Sequence, residues 1–134
     1  MAILLFHIAC FQPAAFAGDK PDSKFGDVQI GAITYSFRSM PDQSIAAILD
    51  YTVQSGLSSV ELMGGAVEGF AGIPKTKDKE ALKAWRSAVT MDKFEPIRRM
   101  FEKSGVKIDI LKLGVANWSD EEIDYAFKVC KTLG

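Results

Sequence analysis

Apolar positions along the chain change their spacing several times, and each change marks an element. Residues 28–37 run Val-Gln-Ile-Gly-Ala-Ile-Thr-Tyr-Ser-Phe. They are rich in β-branched and aromatic side chains and lack clean alternation, which predicts a strand buried on both faces. Met40-Pro41-Asp42 breaks that run, and Asp42 is the expected cap of a helix. Ile45, Ile48, Leu49 and Val53 recur there at helical spacing, up to a stop at Gly56. A short strand follows at 59–63. The connection from Gly64 to Thr90 is long and holds Gly64, Gly65, Gly69, Gly72 and Pro74, the kind of segment that tends to carry function. Within it, 78–87 reads as a helix anchored by Leu82 and Trp85. Asp92 and Glu95 fit a capping box for the next helix, with Phe94, Ile97, Met100 and Phe101 on its apolar face and Gly105 at its end. A third strand is expected at 106–113. Ser119 and Glu122 then predict another capping box, and Ile123, Ala126, Phe127, Cys130 and Leu133 the buried stripe of the last helix.

The chain echoes itself. Ser55-Gly56-Leu57 leads into the strand at 59–63 as Ser104-Gly105-Val106 leads into the strand at 107–113. Strands alternating with helices predict a parallel sheet with right-handed crossovers. An open dinucleotide-binding sheet needs a Gly-rich turn after strand one, and Tyr35-Ser36-Phe37-Arg38-Ser39 has none. Gly64-Gly65 with Gly69 has the wrong spacing for such a turn, and no helix is expected to start within it. The expected fold is therefore α/β, a partial (β/α)8 TIM barrel of about three βα units. Roughly 107 residues for three units scales to about 285 for eight, inside the usual barrel range. The last helix reaches Thr132-Leu133-Gly134 where the same grammar asks for another strand, so a larger enzyme is expected, of which 28–134 is the N-terminal part.

The first residues differ in kind. An apolar run over 3–11 precedes Ala15-Phe16-Ala17, a small-x-small cleavage pattern. Residues 1–17 thus read as a signal peptide, although no Lys or Arg precedes the apolar part, and 18–27 as a polar tether. The protein is expected to be exported, periplasmic or extracellular. A lipoprotein anchored at Cys10 fits less well, because His7 stands where an aliphatic residue is expected. Cleavage removes both His7 and Cys10, leaving Cys130 as the single thiol, so no intramolecular disulfide is expected. After residue 17 no segment is apolar for long enough to span a bilayer. Composition is ordinary for a globular chain, at 48% hydrophobic and 25% charged residues. A net charge of −1 gives no footprint for nucleic acid. Composition leaves oligomeric state, homo-oligomers included, open.

In a barrel the reactive groups come from the C-terminal ends of the strands. Glu61 is the sharpest candidate, because a carboxylate inside a five-residue apolar strand needs a partner, a metal or a polar substrate. Its bland alternative is an ion pair with Lys112 that only stabilises the barrel mouth. Lys112 is the second candidate catalytic residue, or else a snorkelling side chain at a strand end. Tyr35 and Phe37 could wall a sugar ring or pack the barrel, and Met63 and Gly64 follow the second strand into the pocket. Trp118 is either a pocket rim or a staple for the final helix. Asp109 is expected to face the helix layer or solvent, and Cys130 to be buried filler. No metal site assembles from these residues.

The stretches Ile30-Gly31-Ala32-Ile33-Thr34-Tyr35-Ser36-Phe37, Gly56-Leu57-Ser58-Ser59-Val60-Glu61-Leu62-Met63-Gly64, Ala84-Trp85-Arg86 and Met91-Asp92-Lys93-Phe94 resemble exported members of the sugar phosphate isomerase/epimerase family. These have the xylose isomerase-like TIM barrel. The resemblance covers about 28–134 and implies a divalent metal (Mn, Mg or Zn) and a small-molecule carbohydrate substrate. It implies isomerisation or epimerisation by proton transfer through an enediolate. The family's metal ligands come from the second half of the barrel and have no counterpart here, so this segment alone is expected to be inactive. Only Glu61 and, less securely, the strand-one aromatics carry over. Lyases or dehydratases on oxidised or inositol-like sugars share the barrel, as do endonucleases for abasic DNA, which neutral charge and export disfavour. A non-catalytic exported binding module is the alternative of another class; its two exposed sheet edges count against it.

Overall fold

A computed structural model describes residues 20–134; the expected signal peptide lies outside the described residues. The architecture is mixed α/β, built on a three-stranded parallel sheet. The chain opens with a small antiparallel hairpin, β1 (Lys24–Phe25) and β2 (Val28–Gln29), turned at Gly26 with φ +59°. This hairpin occupies part of the expected tether and of the expected first strand. The parallel sheet holds only β3 (Ala32–Ile33) of that run, paired with β4 (Ser59–Met63), which in turn pairs with β5 (Lys107–Lys112). Thr34–Phe37 winds into a 3-10 turn rather than extending the strand. Buried Thr34 explains why the turn is stable here, since its hydroxyl accepts the Met63 N–H at 3.0 Å across the end of β4.

Helix α1 (Ile45–Gln54) is capped by Ser44, whose hydroxyl accepts the Ala47 N–H at 3.2 Å. The expected cap, Asp42, instead accepts the Ser44 N–H at 2.8 Å and shapes the entry turn. Gly56 and Gly105, with φ +71° and +73°, reverse the chain after α1 and after α4 (Glu95–Ser104) in the left-handed conformation that only glycine adopts freely. The capping box expected at Asp92 and Glu95 does not form. Met91–Lys93 is a 3-10 turn, Phe94 takes the cap position with its ring fully buried, and Pro96 opens the helix. Burial of that ring sets the entry to α4 in place of a polar cap.

The long connection is more helical than its glycines suggest. Helix α2 (Gly64–Ala71) starts directly on leaving β4, correcting the expectation that no helix begins there. Helix α3 (Lys79–Ala88) follows, capped by Asp78 through the Glu80 N–H at 3.0 Å. Helix α5 (Asp120–Leu133) closes the described chain, with the Glu122 carboxylate accepting the Ser119 N–H at 3.1 Å as its sequence signal required.

One apolar core joins these elements. Val60 and Leu62 of β4 and Ile108 of β5 face it, against Ile48 of α1, Val67 of α2, Ile97 and Phe101 of α4, and Val129 of α5. The buried face of α5 is rotated from the expected stripe: Tyr125, Ala126, Val129 and Leu133 are inside, while Phe127 is 72% exposed and Ile123 and Cys130 lie at the boundary. Apolar residues cover more of this helix than the core uses.

Candidate functional site

The two faces of the sheet differ. Side chains alternate along a strand, so with Val60 and Leu62 in the core, Ser59, Glu61 and Met63 point to the opposite face. In β5 the register slips by one residue between Val60 and Glu61, so that Val60 pairs with Ile108 and Glu61 with Ile110. Asp109 is the extra residue of a β-bulge, a device that re-aims the side chains after it. Beyond the bulge Leu111 packs against the core, and Ile110 and Lys112 join the face that holds Glu61 and Met63. Asp109 accepts the Ser59 hydroxyl at 2.5 Å and pairs with Lys107. The hydrogen bonds from Lys107 and Ser59 hold its carboxyl below the ordinary range.

At the C-terminal edge of that face the Lys112 ammonium lies 4.0 Å from the Glu61 carboxylate. Gly64 is pressed against the end of β5: a Cβ there would collide with the Leu113 side chain and come within 3.0 Å of the Lys112 carbonyl oxygen. Glu61, Met63, Gly64 and Lys112 are thus neighbours, as the sequence grouped them. The strand-one aromatics diverge. Phe37 packs on Tyr51 of α1, ring centroids 5.8 Å apart, while Tyr35 is exposed with the Arg38 guanidinium 4.8 Å above its ring.

Trp118 lies elsewhere, under the guanidinium of Arg86 at 4.1 Å and beside Tyr125 at 6.2 Å. It belongs to a polar cluster that sequence reasoning missed. Arg86 Nε donates to Glu68 Oε1 at 2.8 Å, and Nη1 donates to Glu122 Oε1 at 2.9 Å. The Tyr125 hydroxyl donates to Glu68 at 3.3 Å. Burial opposes the charge on Arg86, but the hydrogen bonds and negative charges of Glu68 and Glu122 outweigh it and raise its affinity for the proton. Burial likewise works against Glu122, yet the Ser119 N–H and Arg86 carry its pKa below the usual value. Burial and the Glu68 charge push the Tyr125 phenol well up.

Among the described residues no strand pairs with the outer edge of β5, and beside it a cavity of about 460 Å³ runs between β5 and α5, lined by Ile110, Val115, Ile123, Phe127 and Cys130 with Glu61 and Lys112 also on its wall. Among the described residues no three His, Cys, Asp or Glu side chains converge. Glu61 has the Lys112 ammonium for its charged neighbour, so these residues do not fit a divalent metal. Among the described helices none is long and apolar enough to cross a membrane. The chain matches no protein-family model, no curated protein and no solved structure.

Proposed function

We propose that this chain supplies the first βα units of a (β/α)8 barrel that binds a sugar-like small molecule at the C-terminal ends of its strands. The proposed class is an isomerase or epimerase. The observation carrying this reading is the Glu61–Lys112 pair, set on the more exposed face of a parallel sheet beside a strand edge that no described residue pairs. A further parallel strand on β5, with a helix over Phe127, would cover the cavity and turn that face inward.

Energetics favour a ligand-facing role for the pair. With Lys112 56% and Glu61 29% exposed and 4.0 Å between them, the two charges contribute at most about 1 kcal/mol to stability, too little to account for an ionisable residue in the middle strand. A carboxylate and an ammonium on one face can bind a polyhydroxylated substrate in complementary ways. The carboxylate accepts hydroxyl hydrogens or takes a proton from carbon next to a carbonyl, and the ammonium steadies the oxyanion that develops.

The test is a 1H–15N NMR titration of the purified chain with aldoses, ketoses and their phosphates. Shifts are expected at Glu61, Met63 and Lys112, and Glu61→Gln is expected to weaken them at least fivefold with an unchanged melting temperature. Absence of shifts at tens of millimolar ligand, or shifts confined to other surfaces, would refute sugar binding. A large stability loss in Glu61→Gln would assign the residue to structure.

A further inference from the structure

We infer that Arg86 is a positioning residue for the C-terminal edge of the sheet, holding in register the two chain segments that leave the strands bearing Glu61 and Lys112. The inference rests on reading that edge as the binding mouth.

Its basis is connectivity. Glu68 lies in α2, which begins one residue beyond Met63 at the end of β4. Glu122 lies in the first turn of α5, joined to the end of β5 by 113–119. One guanidinium is bonded to both carboxylates and lies face-on to Trp118 in that same connection. The three ionised side chains are each about 10% exposed. Every buried side-chain nitrogen or oxygen among the described residues has a partner.

The geometry also explains the choice of arginine. Its planar fork engages Glu68 through Nε and Nη2, at 2.8 and 3.4 Å, while Nη1 turns to Glu122. A lysine ammonium has three donors but no planar fork, so it cannot engage Glu68 through two parallel N–H bonds and stack on Trp118 while also reaching Glu122. Without a cation, two sequestered carboxylates would face each other, and like charges in low dielectric repel strongly. Relief comes through proton uptake by one carboxylate or through movement of α2 or α5, and that movement would carry the ends of β4 and β5 with it. Helix α3 has no residue in the core; its inward contributions are Trp85, at the core's margin, and Arg86.

Hydrogen–deuterium exchange on the full chain tests this without a ligand. In Arg86→Leu, exchange at 64–68 and 113–119 is expected to rise at least tenfold while α1 is unchanged, and the Met63 methyl resonance is expected to shift. Arg86→Lys should show the same pattern at two- to fivefold. Arg86→Leu combined with Glu68→Gln and Glu122→Gln should recover only part of the protection, because the repulsion is gone but the bonds joining the two segments stay absent. Should Arg86→Leu not fold, Arg86→Lys decides alone. Exchange that rises evenly over α1 and α4, or an unmoved Met63 methyl with unchanged protection at 64–68 and 113–119, would overturn the inference. Loss of sugar shifts in the wild-type titration would sink the proposed function while leaving the exchange result intact.

Discussion

A pair of substitutions separates the two faces of the sheet. Leu62 sits at the centre of β4 with 0% exposure, and Ile110, across on β5, is 55% exposed. Leu62→Ala removes a fully enclosed isobutyl group from a close-packed core, which costs about 2–5 kcal/mol through lost transfer energy plus the cavity left behind. Taking about 3 kcal/mol, and about 4 °C per kcal/mol for a domain of this size, the melting midpoint should fall by about 12 °C. Ile110→Ser removes a side chain that is already half in water, so the expected loss is below about 1 kcal/mol and within about 4 °C. The assay is thermal unfolding of the 134-residue chain followed by far-UV circular dichroism, with urea denaturation to compare free energies directly. If Ile110→Ser destabilises as much as Leu62→Ala, the face carrying Glu61 and Lys112 is covered, and the placement of the site on an accessible face is wrong. A small effect of Leu62→Ala would equally contradict the single core described above.

Three further outcomes are expected. Glu122 and Asp109 have carboxyls held below their ordinary values, so their contribution is complete above the unfolded-state range near pH 4–4.5 and drains away as pH falls through the lower folded values; an acid titration of unfolding midpoint should show this loss, and a flat profile between pH 5 and pH 2 would contradict it. Gly64→Ala forces a methyl against Leu113 and the Lys112 carbonyl, an overpacking cost of about 1–3 kcal/mol, measurable in the same urea assay. If residues 1–17 direct export, mass spectrometry of the exported protein should give Gly18 as its first residue, and a secreted chain retaining Met1 would refute the cleavage site.

Some local signals were legible and distant ones were not, although the Asp42 cap and the Asp92–Glu95 box, both local, did not form. β4 came out of the sequence with its ends correct because five apolar-dominated residues sit between a glycine stop and a glycine pair. Asp78, Gly105 and the Ser119–Glu122 box act within a few residues, and such chemistry shows in any window. Strand one was overestimated, because β-branched content cannot distinguish a sheet strand from a hairpin followed by a buried threonine turn. α2 was invisible, since glycine is a poor helix former and what holds the helix is tertiary: Val67 and Ala71 are buried in the core, and Glu68 is bonded to Arg86 of α3. The stripe on α5 was misplaced for a related reason: the helix has apolar residues on two adjoining faces, and periodicity alone does not say which one the core takes. Glu61 and Lys112 could be paired on paper through the strand pattern. Arg86 could not be paired with Glu68 and Glu122, because Glu122 already had a full local explanation as a capping residue.

The extra residue at position 109 also limits how this segment can vary. Counting from Ile108, an unbroken pleat would have carried Lys112 to the core side and left Leu111 facing outward. The proposed site therefore depends on parity. Gaining or losing a single amino acid between Ile108 and Ile110 would exchange charge for leucine across the sheet, whereas changes in steps of two would leave the facing intact.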